Sequence, residues 1–101
     1  MKDLKASEVT QLQEDGKKLV IDFWAPWCGP CKTLIPRLEN IESEYSDIQF
    51  VKVNVEEERD FAVLMGIRNV PTVILSVGTE EFGRVVGARP DSEYTSILDR
   101  M

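Results

Sequence analysis

Histidine is absent from the 101 residues, cysteine occurs only twice, and no apolar run is long enough to cross a bilayer. Without histidine the commonest general base and zinc ligand is missing, so proton chemistry falls to carboxylates, lysines or the cysteines themselves. A membrane span needs roughly 18 apolar residues, and the opening "MKDLKASEVTQLQEDGKK" also lacks the apolar stretch of a secretory leader. A cytoplasmic protein with no membrane association is the expectation. Cations are outnumbered, 12 Lys and Arg against 18 Asp and Glu for a net charge of -6, and they are scattered rather than gathered in a stripe. Direct nucleic-acid binding is therefore not expected. Repeats and low-complexity linkers are missing too. What remains is an ordinary globular balance, 43% hydrophobic and 30% charged, in a chain sized for a single domain over residues 1–101.

The pattern of apolar residues orders the chain. Ser7 to Gln13 reads as a short helix with Ser7 as a possible cap, Val9 and Leu12 facing inward, and Gly16 beyond its end. "KLVIDFW" is a nearly continuous β-forming run, the signature of a strand buried on both faces. From Pro30 to Tyr45 the positions Leu34, Leu38, Ile41 and Tyr45 recur at helical spacing, with Pro36 inside the helix as an expected kink. "IQFVKVNV" is again a strand, so strand, helix and strand suggest a crossover with parallel strands. The acidic run Glu56 to Glu58 suits the start of a helix that ends at Met65 before Gly66. "PTVILSV" and "EFGRVVG" then pair as a hairpin, and a last helix from Asp91 carries Tyr94, Ile97 and Leu98 on one face. The order implies an α/β fold, a central mixed sheet with helices on both faces.

The cysteines stand in "DFWAPWCGPCK" as Cys28 and Cys31, where a strand gives way to a helix. A structural zinc normally takes four cysteine or histidine ligands, which one molecule of this chain does not supply; a site shared between two chains stays open. A purely structural disulfide across so small a loop would restrict the unfolded chain little. A redox pair has a better chemical reason. Unpaired backbone N–H groups and the helix dipole stabilise a thiolate at Cys28, and Cys31 lies one turn later on the same face, in reach for disulfide exchange. Pro30 fits the first helical turn, where its missing N–H costs nothing. An aspartate in a β run such as Asp22 fits an exposed edge as readily as a buried acid.

"FWAPWCGPCK" resembles the active-site segment of the thioredoxin family, itself a standard illustration of low-pKa cysteine and dithiol chemistry. "LVIDFWAPWCGPCKTLIP", "VKVNVE", "GIRNVPT" and "VVGARP" resemble the family's successive signatures in order, covering Leu19 to Pro90. The resemblance implies a thioredoxin fold with a leading strand that is short or missing, since only Met1 to Lys5 precede the first helix. It implies a dithiol-disulfide oxidoreductase that reduces protein disulfides, binds no cofactor beyond its own disulfide, and is recycled by an NADPH-linked flavoenzyme, thioredoxin reductase.

By the same resemblance Cys28 is the nucleophile, exposed at the helix end, and Cys31 the resolving thiol. Asp22 is the buried acid that exchanges a proton with Cys31, and Lys52 the lysine close to that acid. Pro71 is a cis-proline facing the disulfide. Trp27, Gly29, Pro30, Val70, Pro71, Gly87 and Ala88 form a shallow, largely apolar substrate surface, whereas Trp24 packs behind the loop. Departures stand at Ser76, where a bulky apolar residue is usual, at Gly78, one residue early, and at Asn69, where a small residue is usual. Two rivals remain: an oxidase or isomerase of exported proteins, and a binding module that would survive loss of both cysteines.

Overall fold

The computed structural model describes Met1–Met101. The elements run β1 (Lys2–Asp3), α1 (Ala6–Glu14), β2 (Lys18–Trp24), α2 (Gly29–Glu42), β3 (Gln49–Asn54), α3 (Arg59–Leu64), β4 (Thr72–Val77), β5 (Glu80–Val86) and α4 (Asp91–Leu98). One five-stranded sheet takes the order β1-β3-β2-β4-β5. Strands β1, β3 and β2 are parallel, joined through helical crossovers, and β4 and β5 are antiparallel to their neighbours. The continuous apolar run "KLVIDFW" becomes the central strand, as its composition requires, because only a strand covered on both faces buries both sets of side chains.

Strand alternation divides the core in two. Leu19, Ile21 and Phe23 of β2 join Val51, Val53 and Ile74 beneath Val9 of α1 and Phe61 of α3. Val20 joins Phe50, Val73, Leu75 and Val85 beneath Leu34, Leu38 and Ile41 of α2 and Tyr94 and Leu98 of α4. The helices thus lie in pairs on opposite faces.

The leading strand exists but is two residues long, pairing Lys2 with Val51 and Asp3 with Lys52. Ser7 is not the cap of α1. The N-cap is Lys5, whose backbone N–H donates to the Glu8 carboxylate at 2.9 Å, so the acid three residues into the helix satisfies the free donor instead. Helix α2 continues through Pro36 and ends at Glu42, short of Tyr45. Glu56 to Glu58 precede α3, with Glu58 as its N-cap, and Gly66 follows at φ 73°. At the β4–β5 turn Gly78 takes φ 58°, and a side chain there would meet the Gln13 carbonyl at 3.2 Å. The neighbouring departure, Ser76, is buried with its hydroxyl unpartnered.

Candidate active site

Two structural decisions place the cysteines. The apolar strand β2 runs out at Trp24, and the turn that follows closes with the Cys28 N–H donating to the Ala25 carbonyl at 3.1 Å. Cys28 then becomes the N-cap of α2, with Gly29 and Pro30 in the first turn, both exposed. Cys28 and Cys31 are joined as a disulfide with their Cα atoms 5.3 Å apart. The Cys31 N–H points at the Cys28 sulfur, 3.2 Å away, so a free backbone donor at the helix start faces that sulfur.

The expectation that Cys28 is exposed requires correction. It is only 3% exposed and Cys31 is fully buried. The turn folds Cys28 down onto Ala25 and Cys31, and Trp24, Val55 and Val70 pack around the three. The residue that projects is its neighbour Trp27, 68% exposed. Trp27 and Val70 face one groove of ≈ 300 Å³, lined also by Val55, Ala62, Ile67 and Arg68.

The Val70–Pro71 peptide bond is cis and Pro71 is buried. Pro71 leads into β4, and its carbonyl accepts the Gly87 N–H at 2.8 Å, just past the Thr72–Val86 pair that ends the β4–β5 ladder. Gly87 sits at φ 89°, a backbone conformation that suits glycine. Its carbonyl accepts the hydroxyl of buried Tyr94 at 3.0 Å, and the same hydroxyl accepts the Arg89 N–H at 3.2 Å. Tyr94 thus ties the Gly87–Arg89 turn to α4, a role its helical spacing did not reveal. Ala88 is exposed within that turn, and neither it nor Gly87 lines the groove of Trp27 and Val70.

Asp22 lies in the middle of β2 and is fully buried, on the face shared with Val20, under α2 and α4. No protein group hydrogen-bonds either carboxyl oxygen. Burial pushes its pKa up from 3.8 to about 7; Lys52 opposes this and the charge of Asp3 adds to it. Lys52 is its register partner on β3. The lysine is not ion-paired with Asp22, however: its ammonium binds Asp3 at 3.2 Å and lies 4.8 Å from the centre of the Trp24 ring. The Trp24 indole N–H donates to the other Asp3 oxygen at 2.8 Å, which holds Trp24 behind the loop. Asp3 was not legible as a site residue. Its only signal is a charge opposite to Lys52 on a strand too short to announce its pairing.

A disulfide capping a helix, a protonatable acid buried on the adjoining strand, and an apolar groove beside a cis-proline define a site for dithiol-disulfide exchange. No cluster of three or more His, Cys, Asp or Glu side chains is placed to hold a metal. The family model described as Thioredoxin matches residues 4–100. Thioredoxin of Mycoplasma pneumoniae is 36% identical over 100 residues, 99% of this chain and 96% of that protein. Thioredoxin M2, chloroplastic, of Arabidopsis thaliana is 40% identical over 83 residues, 81% of this chain but 45% of that longer protein. The structure of oxidised mitochondrial thioredoxin 3 from Saccharomyces cerevisiae superposes with a TM-score of 0.86 at 36% identity, covering 98% of this chain and 93% of that one. The chain belongs to the thioredoxin family. It has the thioredoxin fold and is a thiol-disulfide oxidoreductase whose redox group is its own Cys28–Cys31 disulfide.

Proposed function

We propose that this protein, as a single domain over residues 1–101 and a monomer, reduces disulfides of protein substrates in the cytoplasm. The observation that carries this reading is the Cys28–Cys31 disulfide at the start of α2 with an unpartnered, raised-pKa carboxyl on the adjoining strand. In the reduced protein the Cys28 thiolate, stabilised by the helix start and the Cys31 N–H, attacks a substrate disulfide. A Cys28–substrate disulfide forms and one substrate thiolate leaves. Cys31 then gives its proton toward Asp22, directly or through water, and its sulfur attacks the Cys28 sulfur. The Cys28–Cys31 bond closes and the second substrate thiolate is released. A carboxyl with a pKa about 7 is matched to taking and returning a proton near neutrality.

Trp27, Gly29, Pro30, Val70, Pro71, Gly87 and Ala88 receive an extended substrate segment, with backbone groups beside Pro71 and apolar contact from Trp27 and Val70. Lys52 acts on Asp22 by its charge. An NADPH-linked, flavin-containing thioredoxin reductase returns the disulfide to the dithiol. No helix is long and apolar enough to cross a membrane.

The test is a trapping experiment with a disulfide-containing protein. Cys31→Ser accumulates a mixed disulfide with substrate that is visible by mass, and Cys28→Ser does not; the reverse pattern overturns the assignment. A redox titration followed by Trp24 and Trp27 fluorescence adds direction. A potential below the glutathione poise fits a reductant, whereas one well above it moves the protein to disulfide formation.

A further inference from the structure

Beside the active acid, three strands place three charged residues in one lateral row. Register pairs Asp3 of β1 with Lys52 of β3, and Lys52 with Asp22 of β2. All three belong to the face covered by α2 and α4, because Lys52 alternates with Val51 and Val53 of the opposite core. Lys52 therefore stands between two carboxylates on strands that lie about 10 Å apart. Its ammonium takes the outer one. Asp3 holds it at 3.2 Å with one oxygen and receives the Trp24 indole N–H at 2.8 Å with the other, while the Trp24 ring lies 4.8 Å from the ammonium. Each of the three groups fixes the other two, and Asp22 is left with no partner in the protein.

This arrangement is a poor stabilising device. The Asp3 side chain is 52% exposed and that of Lys52 19% exposed, and ion pairs so open to water contribute roughly 0–1 kcal/mol. What the pair does control is where a positive charge sits relative to the buried acid. A cation within about 4–6 Å of a carboxyl lowers its proton affinity, and one drawn away does so less.

We infer that Asp3 is a positioning residue: by clamping Lys52 and Trp24 at the sheet edge, it holds the lysine charge back from Asp22 and so keeps that acid able to accept the Cys31 proton near neutrality. The inference rests on the reading of Asp22 as the proton acceptor. The other groups facing Asp22 do not substitute for the clamp. Cys31 of α2 is tied in the disulfide, Tyr94 of α4 donates its hydroxyl to the Gly87 carbonyl, and β4 and β5 contribute Val73 and Val85 to the row. The opposed influences of Lys52 and Asp3 on the Asp22 carboxyl agree with this geometry.

The decisive measurement is the titration of the Asp22 side-chain carboxyl by its carbon chemical shift, in the oxidised protein, where neither cysteine titrates. Asp3→Asn keeps an oxygen acceptor for the Trp24 N–H but loses the charge that holds Lys52. It is expected to lower the Asp22 midpoint by about 1 pH unit, with Asp3→Glu restoring most of the loss. In a Lys52→Gln background the same Asp3→Asn change is expected to lower the midpoint by less than half as much, because only the direct repulsion is then removed. An unchanged or raised midpoint overturns the inference, and so does an equal shift in both backgrounds. A parallel pH profile of mixed-disulfide resolution separates this from the reading beneath it. If Asp22→Asn slows resolution while the Asp22 midpoint ignores Asp3, the clamp fails and the acceptor stands. If the midpoint follows Asp3 but resolution ignores Asp22, the clamp stands and the acceptor role fails.

Discussion

Strand β2 sends Leu19, Ile21 and Phe23 to the face covered by α1 and α3, and Val20 and Asp22 to the face covered by α2 and α4. One face is hydrocarbon along the whole strand. On the other, the same strand places a fully buried carboxyl with no partner. Between Leu19 and Phe23 the two faces share backbone and helical cover, so what separates them there is the side-chain chemistry of Asp22. Burial that is favourable for Phe23 is unfavourable for Asp22, and the fold tolerates the second on the strand that leads into the disulfide loop.

The comparison breaks most sharply at Phe23. Its ring meets Phe61 at a centroid distance of 5.9 Å within the α1/α3 core. Phe23→Ala removes that contact and leaves a cavity, and the expected loss is about 3–5 kcal/mol. Because no titrating group is involved, urea unfolding should show the same loss at pH 4 and pH 8. A loss that changed strongly between the two would mean that the faces are electrostatically coupled.

Its neighbour should behave in the opposite sense. Folding raises the Asp22 pKa from 3.8 to about 7. Well below pH 3.8 the acid is protonated in both states and its ionisation costs nothing. As pH rises through the unfolded value the unfolded chain releases its proton while the folded chain keeps it, so stability falls until pH passes about 7 and the cost levels off. A displacement of about 3 pH units corresponds to roughly 4 kcal/mol. Asp22→Asn should therefore stabilise the oxidised protein by up to about 4 kcal/mol at pH 8 and by little at pH 4. A gain of equal size at both pH values would show that packing rather than ionisation sets the cost.

Much of this contrast was legible before any coordinates. The unbroken run "KLVIDFW" implied a central strand, the spacing of Leu34, Leu38 and Ile41 set the face of α2, and the exception at Asp22 stood out against that apolar frame. These signals are local; the burial of Asp22, which the run alone did not distinguish from an exposed edge, follows from the central place of β2 in the sheet. What stayed hidden depends on contacts between segments far apart in sequence. Two residues of β1 carry too little pattern to show that Asp3 meets Lys52 and Trp24. Ser7 looked like a cap, but the competing bond from the Lys5 N–H to Glu8 is equally local and won. The burial of Cys28 comes from packing by Trp24, Val55 and Val70, which no spacing within "WCGPC" encodes.

Tyr94 carries the smallest of these effects and tests whether the α2/α4 face serves the site beyond its charged row. Its ring is part of the apolar core of that face, while its hydroxyl donates to the Gly87 carbonyl and accepts the Arg89 N–H. Tyr94→Phe keeps the ring and strands two backbone groups, at an expected cost of about 1–2 kcal/mol. Each kcal/mol corresponds to a fall of about 4–8 °C in Tm for a domain of this size. The turn it releases holds Gly87 and Ala88, so a looser turn should raise KM for a protein disulfide more than it lowers kcat, since Cys28, Cys31 and Asp22 are untouched. A fall in Tm with KM unchanged would confine Tyr94 to stability and leave the charged row of Asp3, Lys52 and Asp22 as what sets this face apart from the other.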